Sequence, residues 1–254
     1  ESILKLLSKW TFWVIIWCVS VSNGHTDVQI SIEGYERCII SNGVPNHRIG
    51  QFPIRGNPHT FKRQKLRYCI TLNPEVNKFI SHKAETIGIT LTGIPIRPGT
   101  ADWFDENSVR GHSKKNSSGW KLEAITPNKK LFGIDDNNAH VDKRGLYHYH
   151  GVSRKLLSEE NGSLIGFAAD GHEIHYLGSR MNSSWVLKKG FRQTKPFGVH
   201  DGSFLQDYEY VEGSGNLDEC NFGKLGSKMV YFATNEFPFF PRCHWGNPSK
   251  YFIR

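Results

Sequence analysis

The sequence lacks most of the short signatures that name a reaction. Its 254 residues contain no G-x-x-x-x-G-K-[S/T] loop and no G-x-G-x-x-G turn. Nucleotide and dinucleotide folds therefore have no phosphate cradle to build on. No G-x-S-x-G elbow is present, which leaves an α/β-hydrolase reading without its nucleophile. No C-x-x-C pair occurs, and a thiolate zinc site of the finger type needs one. There is no internal period, no low-complexity tract and no linker that clearly divides the chain.

Long apolar runs are also scarce. The one in the sequence spans Trp10 to Val21, follows Lys5 and Lys9, and gives way to Ser22, Asn23 and Gly24. Basic, then apolar, then small residues is the order of a secretory signal peptide. A membrane span needs about 20 apolar residues, so a single N-terminal anchor is the weaker alternative and the mature chain is expected to carry no span. Residues 1–24 are expected to be the leader, shortened at its N-terminus because the chain opens on Glu1. Residues 25–254 are then expected to form one domain.

Secretion would set the redox state. Beyond Cys18 in the leader, the chain keeps Cys38, Cys69, Cys220 and Cys243. Four cysteines in an oxidising compartment imply two disulfides and allow three connectivities. Local pairing favours Cys38–Cys69 and Cys220–Cys243. Three N-x-[S/T] sequons, at Asn116, Asn161 and Asn182, agree with an extracellular location. The formal charge is +8, with basic clusters at Lys62-Arg63, Lys114-Lys115 and Lys188-Lys189. A secreted chain has no nucleic acid to meet, so an anionic glycan or an unidentified small molecule is the expected partner. Plain surface charge is the simpler account of the same residues.

What the sequence does have is strands and turns. Residues 35–41, 66–72, 86–92, 145–150, 164–169 and 228–233 are short, apolar and bounded by Gly, Pro, Asn or Asp. Helical patterning is confined to a turn over 101–106 and one short helix over 153–160 capped by Ser153. The expected fold is mainly β, a sandwich-like domain with long loops and few short helices.

Chemistry concentrates in one stretch, Ala139 to Gly151. His148 and His150 stand two apart between Tyr147 and Tyr149. On a strand, i and i+2 share a face, so both imidazoles project together and both tyrosines project oppositely. His140 lies just across a turn at Gly145. Convergent imidazoles suit zinc or copper. His140, His148 and His150 are the candidate ligands, with His47 and Asp142 as further ones. Asp170, Tyr147 and Tyr149 are the candidates to orient them by hydrogen bonds. Three protein ligands and a water would support hydrolytic or oxidative chemistry. The competing reading is a non-enzymatic extracellular module in which the same His, Tyr and Asp residues form a buried hydrogen-bond network. Asp135 to Asn138 has a calcium-like composition without EF-hand spacing and reads first as a turn. His172 and His175 read as ordinary packed residues, and His244 as exposed or stacking.

These residues resemble the YHYH-domain family, secreted or periplasmic proteins of unassigned biochemical activity. The likeness runs from Ser41-Asn42-Gly43-Val44-Pro45-Asn46-His47 through Pro98-Gly99-Thr100-Ala101 and Ala139-His140-Val141-Asp142. It continues through the naming motif Tyr147-His148-Tyr149-His150, then Ala168-Ala169-Asp170-Gly171, Cys220-Asn221 and Pro241-Arg242-Cys243. The chain departs from it at His172, Glu173 and His175, and again at Phe222-Gly223-Lys224. The resemblance implies a shared fold and a deliberate histidine cluster, and it assigns no reaction.

Overall fold

A computed structural model describes residues 25–253 of the chain; the expected leader and Cys18 lie outside the described residues. The fold is β-rich. Three antiparallel strands come first: β1 (Val28–Glu33), β2 (Glu36–Ser41) and β3 (Leu66–Thr71). The chain then lays down β4 (Gly88–Thr90), β5 (Pro95–Ile96) and a small ribbon of β6 (Trp103–Phe104) and β7 (His112–Ser113). Next come the hairpin β8 (Ala139–Val141) and β9 (Tyr147–Tyr149), followed by β10 (Leu164–Ala168) and β11 (Glu173–Tyr176). Two further ribbons pair β12 (Trp185–Leu187) with β15 (Tyr208–Tyr210), and β13 (Phe191–Arg192) with β14 (Gly198–Val199). The last strands are β16 (Phe222–Leu225) and β17 (Lys228–Ala233).

Eight strands form the main sheet in the order β16-β17-β11-β10-β4-β5-β9-β8. The sheet is mixed: β11 runs parallel to β17, and β5 parallel to β9. The three-stranded sheet covers one face. Ile39 and Ile70 from it meet Ile89, Phe167 and Phe252 in one apolar cluster. Tyr147, Tyr149, Ile96, Ile165, Ala168 and Tyr231 build a second, larger core. Phe167 and Ala168 are adjacent in sequence and enter different clusters, as alternation on a strand requires.

Both expected disulfides are present. Cys38 and Cys69 are direct register partners on β2 and β3, with Cα atoms 4.0 Å apart. Cys220–Cys243 ties the approach to β16 to the C-terminal segment. Closing loops of this length stabilises by about 3.5 kcal/mol each in the chain-entropy picture.

Helical structure is scarcer than the sequence suggests. The turn expected over 101–106 is instead strand β6, because Trp103 and Phe104 pair with Ser113 and His112. The helix expected over 153–160 shrinks to a single 3-10 turn, Arg154–Leu156. Its start is as expected, with the Ser153 hydroxyl accepting the Lys155 N–H. Among the described residues, no helix is long and apolar enough to cross a membrane.

Candidate metal centre

The site is a hairpin at the edge of the main sheet. β8 and β9 pair antiparallel with His140 directly opposite His148. Gly145 makes the reversal possible. It adopts φ +86°, and a Cβ there would sit 2.7 Å from the Lys62 side chain. Cross-strand pairing puts His140 and His148 on one face, and the i, i+2 rule adds His150. His148 and His150 are 3% and 2% exposed, while His140, on the outermost strand, is only half-buried. Access from solvent is therefore on the His140 side.

The three Nε2 atoms converge. His150 Nε2 lies 3.1 Å from His140 Nε2 and 3.1 Å from His148 Nε2. Each Nδ1 points away, to a backbone carbonyl: His140 to Phe132 at 2.7 Å, His148 to Leu146 at 3.1 Å, His150 to Pro98 at 3.2 Å. A carbonyl oxygen only accepts, so each Nδ1 carries the proton. In the neutral ring Nε2 then bears the lone pair. Three lone pairs thus face one another with no proton between them.

Protonation is an unfavourable way to relieve that repulsion. Burial, reinforced by the neighbouring imidazole of His140, holds His148 and His150 well below the ordinary histidine range. Burial also lowers His140, against the opposing pull of its bond to the Phe132 carbonyl. A cation fits instead. In a tetrahedron with zinc–nitrogen bonds of about 2.0–2.1 Å, ligand atoms lie about 3.4 Å apart. The observed 3.1 Å is close to that spacing.

The other expected participants are not among the converging ligand atoms. His47 is on the far side of β9, with its Nδ1–H on the Arg48 carbonyl and its Nε2 accepting the Tyr149 hydroxyl. Asp142 accepts from Arg97 at 2.9 Å and from the Arg144 and Leu146 N–H groups of its own turn. Tyr147 donates to Asp135 at 2.7 Å. Both tyrosines follow alternation into the core, so neither orients a histidine of the cluster. Asp170 belongs to a separate cluster, where it accepts the Tyr231 hydroxyl at 2.7 Å and the Gly246 N–H at 2.9 Å. The groups that do orient the three histidines are backbone carbonyls, which leave no trace in a sequence.

Asp135 closes the turn before β8, taking the N–H groups of Asn137 and Ala139. A cavity of about 470 Å³ lined by Asp135, Phe52 and Arg48 adjoins the tyrosine face and includes none of the three histidines. His172 packs edge-on against Phe222, and His175 bonds Ser163 and Glu173, as packed residues do. His244 is fully buried rather than exposed, with Nε2 donating to the Ile87 carbonyl at 2.8 Å. Asn116, Asn161 and Asn182 are all on the surface.

A family model described as YHYH protein matches residues 67–246, more than half of the chain. The matched segment contains all three converging histidines. No curated protein and no solved structure matches the chain.

Proposed function

The chain belongs to the YHYH protein family, and on that premise we propose that His140, His148 and His150 hold one divalent transition-metal ion through their Nε2 atoms. Imidazole ligands and the close spacing suit zinc or copper. One observation carries the reading: three backbone carbonyls fix three tautomers so that three lone pairs meet. A purely structural hydrogen-bond network would need a donor among those atoms. His150 Nε2 has two ring nitrogens at 3.1 Å and no proton to give to either.

Three protein ligands leave a fourth position for water or substrate. A metal there supplies Lewis acidity and a lowered water pKa. This chain's contribution is to hold neutral ligands in place before the ion arrives and to shut bulk water out around His148 and His150. We read the protein as extracellular, which two disulfides support. The surface positions of the three sequons make glycan attachment sterically feasible.

The test is metal stoichiometry on untagged protein, loaded with zinc or copper and then desalted. Retention of about one equivalent, lost in His148→Ala, is the expected result. Retention of less than a tenth of an equivalent overturns the reading.

A further inference from the structure

The three histidines sit in a basic frame, and strand register builds it. β5 pairs in parallel with β9, Ile96 opposite Tyr149, and the Arg97 N–H donates to the Tyr149 carbonyl at 2.9 Å. Ile96 enters the same core cluster as Tyr147 and Tyr149. Alternation then sends Arg97 to the histidine face. There it forms an ion pair with Asp142 at 2.9 Å, the two side chains only 15% and 14% exposed. The next residue, Pro98, supplies the carbonyl that fixes His150.

The charges can be counted. Neutral imidazoles leave both charges of a divalent ion uncompensated. Asp142 serves both Arg97 and Arg144, and among the described residues no carboxylate joins the converging ligand atoms. A partly buried dication on the face that Arg97 shares favours a negative fourth ligand. We propose that the open position at this site takes small oxyanions, the carboxylate or phosphate group of a substrate, and that Arg97 is a positioning residue whose charge sets their affinity. This rests on the metal reading above. Arg97 acts through its field and stays paired with Asp142 throughout.

A field effect has a signature that a structural role lacks. A nearby cation opposes the metal and favours the anion. Removing it should therefore move the two affinities in opposite directions, whereas damage to the fold weakens both. The experiment loads the protein with Co(II), whose visible spectrum reports its ligands. Inorganic phosphate, acetate and neutral pyridine are then titrated in. Phosphate and acetate should perturb the spectrum at lower concentrations than pyridine. R97Q should raise the apparent Kd for phosphate about tenfold while Co(II) is held more tightly against a competing chelator. R97K, which keeps the charge, should stay near wild type in both.

Equal phosphate affinity in R97Q and wild type overturns the inference, as does a preference for pyridine over both anions. Joint weakening of metal and anion in R97Q also overturns it. Should R97Q fail to fold, the anion-against-pyridine order in wild type and R97K decides alone. Protein that binds no Co(II) overturns the metal reading itself, whereas a Co(II) site indifferent to anions leaves that reading standing and removes only this inference.

Discussion

Two buried histidine clusters in this chain have similar ingredients and opposite endings. Around Asp170 the carboxylate is the hub. It accepts the Tyr231 hydroxyl at 2.7 Å, the Gly246 N–H at 2.9 Å and the His172 N–H at 3.3 Å. The His172 ring nitrogen lies 3.3 Å from its Oδ2. Burial alone would raise Asp170, but the His172 ring, the neighbouring His244 and the Tyr231 hydroxyl outweigh it, so its proton is lost more easily than usual. Around His150 there is no hub. The three rings bond outward to carbonyls and present only lone pairs inward. The Asp170 cluster contains a carboxylate to receive its donors. The His150 cluster contains only acceptors, an arrangement suited to a cation.

The sharpest way to break that contrast is to cut one member of each cluster. His150→Ala should weaken metal binding by more than about a hundredfold, since losing a direct ligand exceeds the 10–100-fold typical of an outer partner. Asp170→Ala should leave metal stoichiometry unchanged. It should instead lower unfolding stability by about 3–5 kcal/mol, because it strands buried donors around a lost charge. Urea titrations with and without a chelator should show the same loss for Asp170→Ala in both.

Ligand linkage gives a somewhat smaller effect. Metal at one hundred times its dissociation constant should stabilise wild type by about 2.7 kcal/mol. A chelator should remove that increment, and His150→Ala should show none to remove. Thermal melts at fixed protein concentration read this directly.

The pH dependence follows from the depressed histidines. In the folded state His140, His148 and His150 stay neutral, while in the unfolded chain each protonates near pH 6.5. Below that pH the unfolded state binds more protons, so the metal-free protein loses stability as pH falls. His244, also lowered by burial, adds to the same trend. Unfolding curves from pH 7.5 to 5.5 should decline more steeply for metal-free wild type than for His148→Phe.

The smallest effect is on the other face of β9. Tyr149→Phe removes one hydroxyl bonded to His47 and should cost about 1 kcal/mol. Metal affinity should not move. A change in metal affinity there would mean that the tyrosine face and the histidine face are coupled.

Much of this was legible in the sequence where the rule is local. The i, i+2 spacing of His148 and His150, the reversal at Gly145 and the pairing of neighbouring cysteines are short-range geometry, and the β-rich fold follows from strand-and-turn punctuation. Alternation also separated the tyrosines from the histidines, yet their orienting role was still expected, because outer partners were sought among side chains. The actual partners are the carbonyls of Phe132, Leu146 and Pro98. Any residue offers a carbonyl, so composition carries no sign of it. Arg97 was missed for a different reason. It reaches the site through the parallel pairing of two-residue β5 with β9, a contact between segments some fifty positions apart with no periodic signal. His244 was misjudged because burial there depends on the C-terminal segment packing back against residues 81–87, where Ile87, just before β4, provides its acceptor.

The central claim is that one ion belongs between three particular nitrogen atoms. Diffraction from a zinc- or copper-loaded crystal, recorded on both sides of the metal's absorption edge, tests it most directly. The account predicts one anomalous peak about 2.0–2.1 Å from Nε2 of His140, His148 and His150. A loaded crystal whose anomalous peak lies at the Asp170 cluster or on the surface, with the three rings unligated, would contradict it.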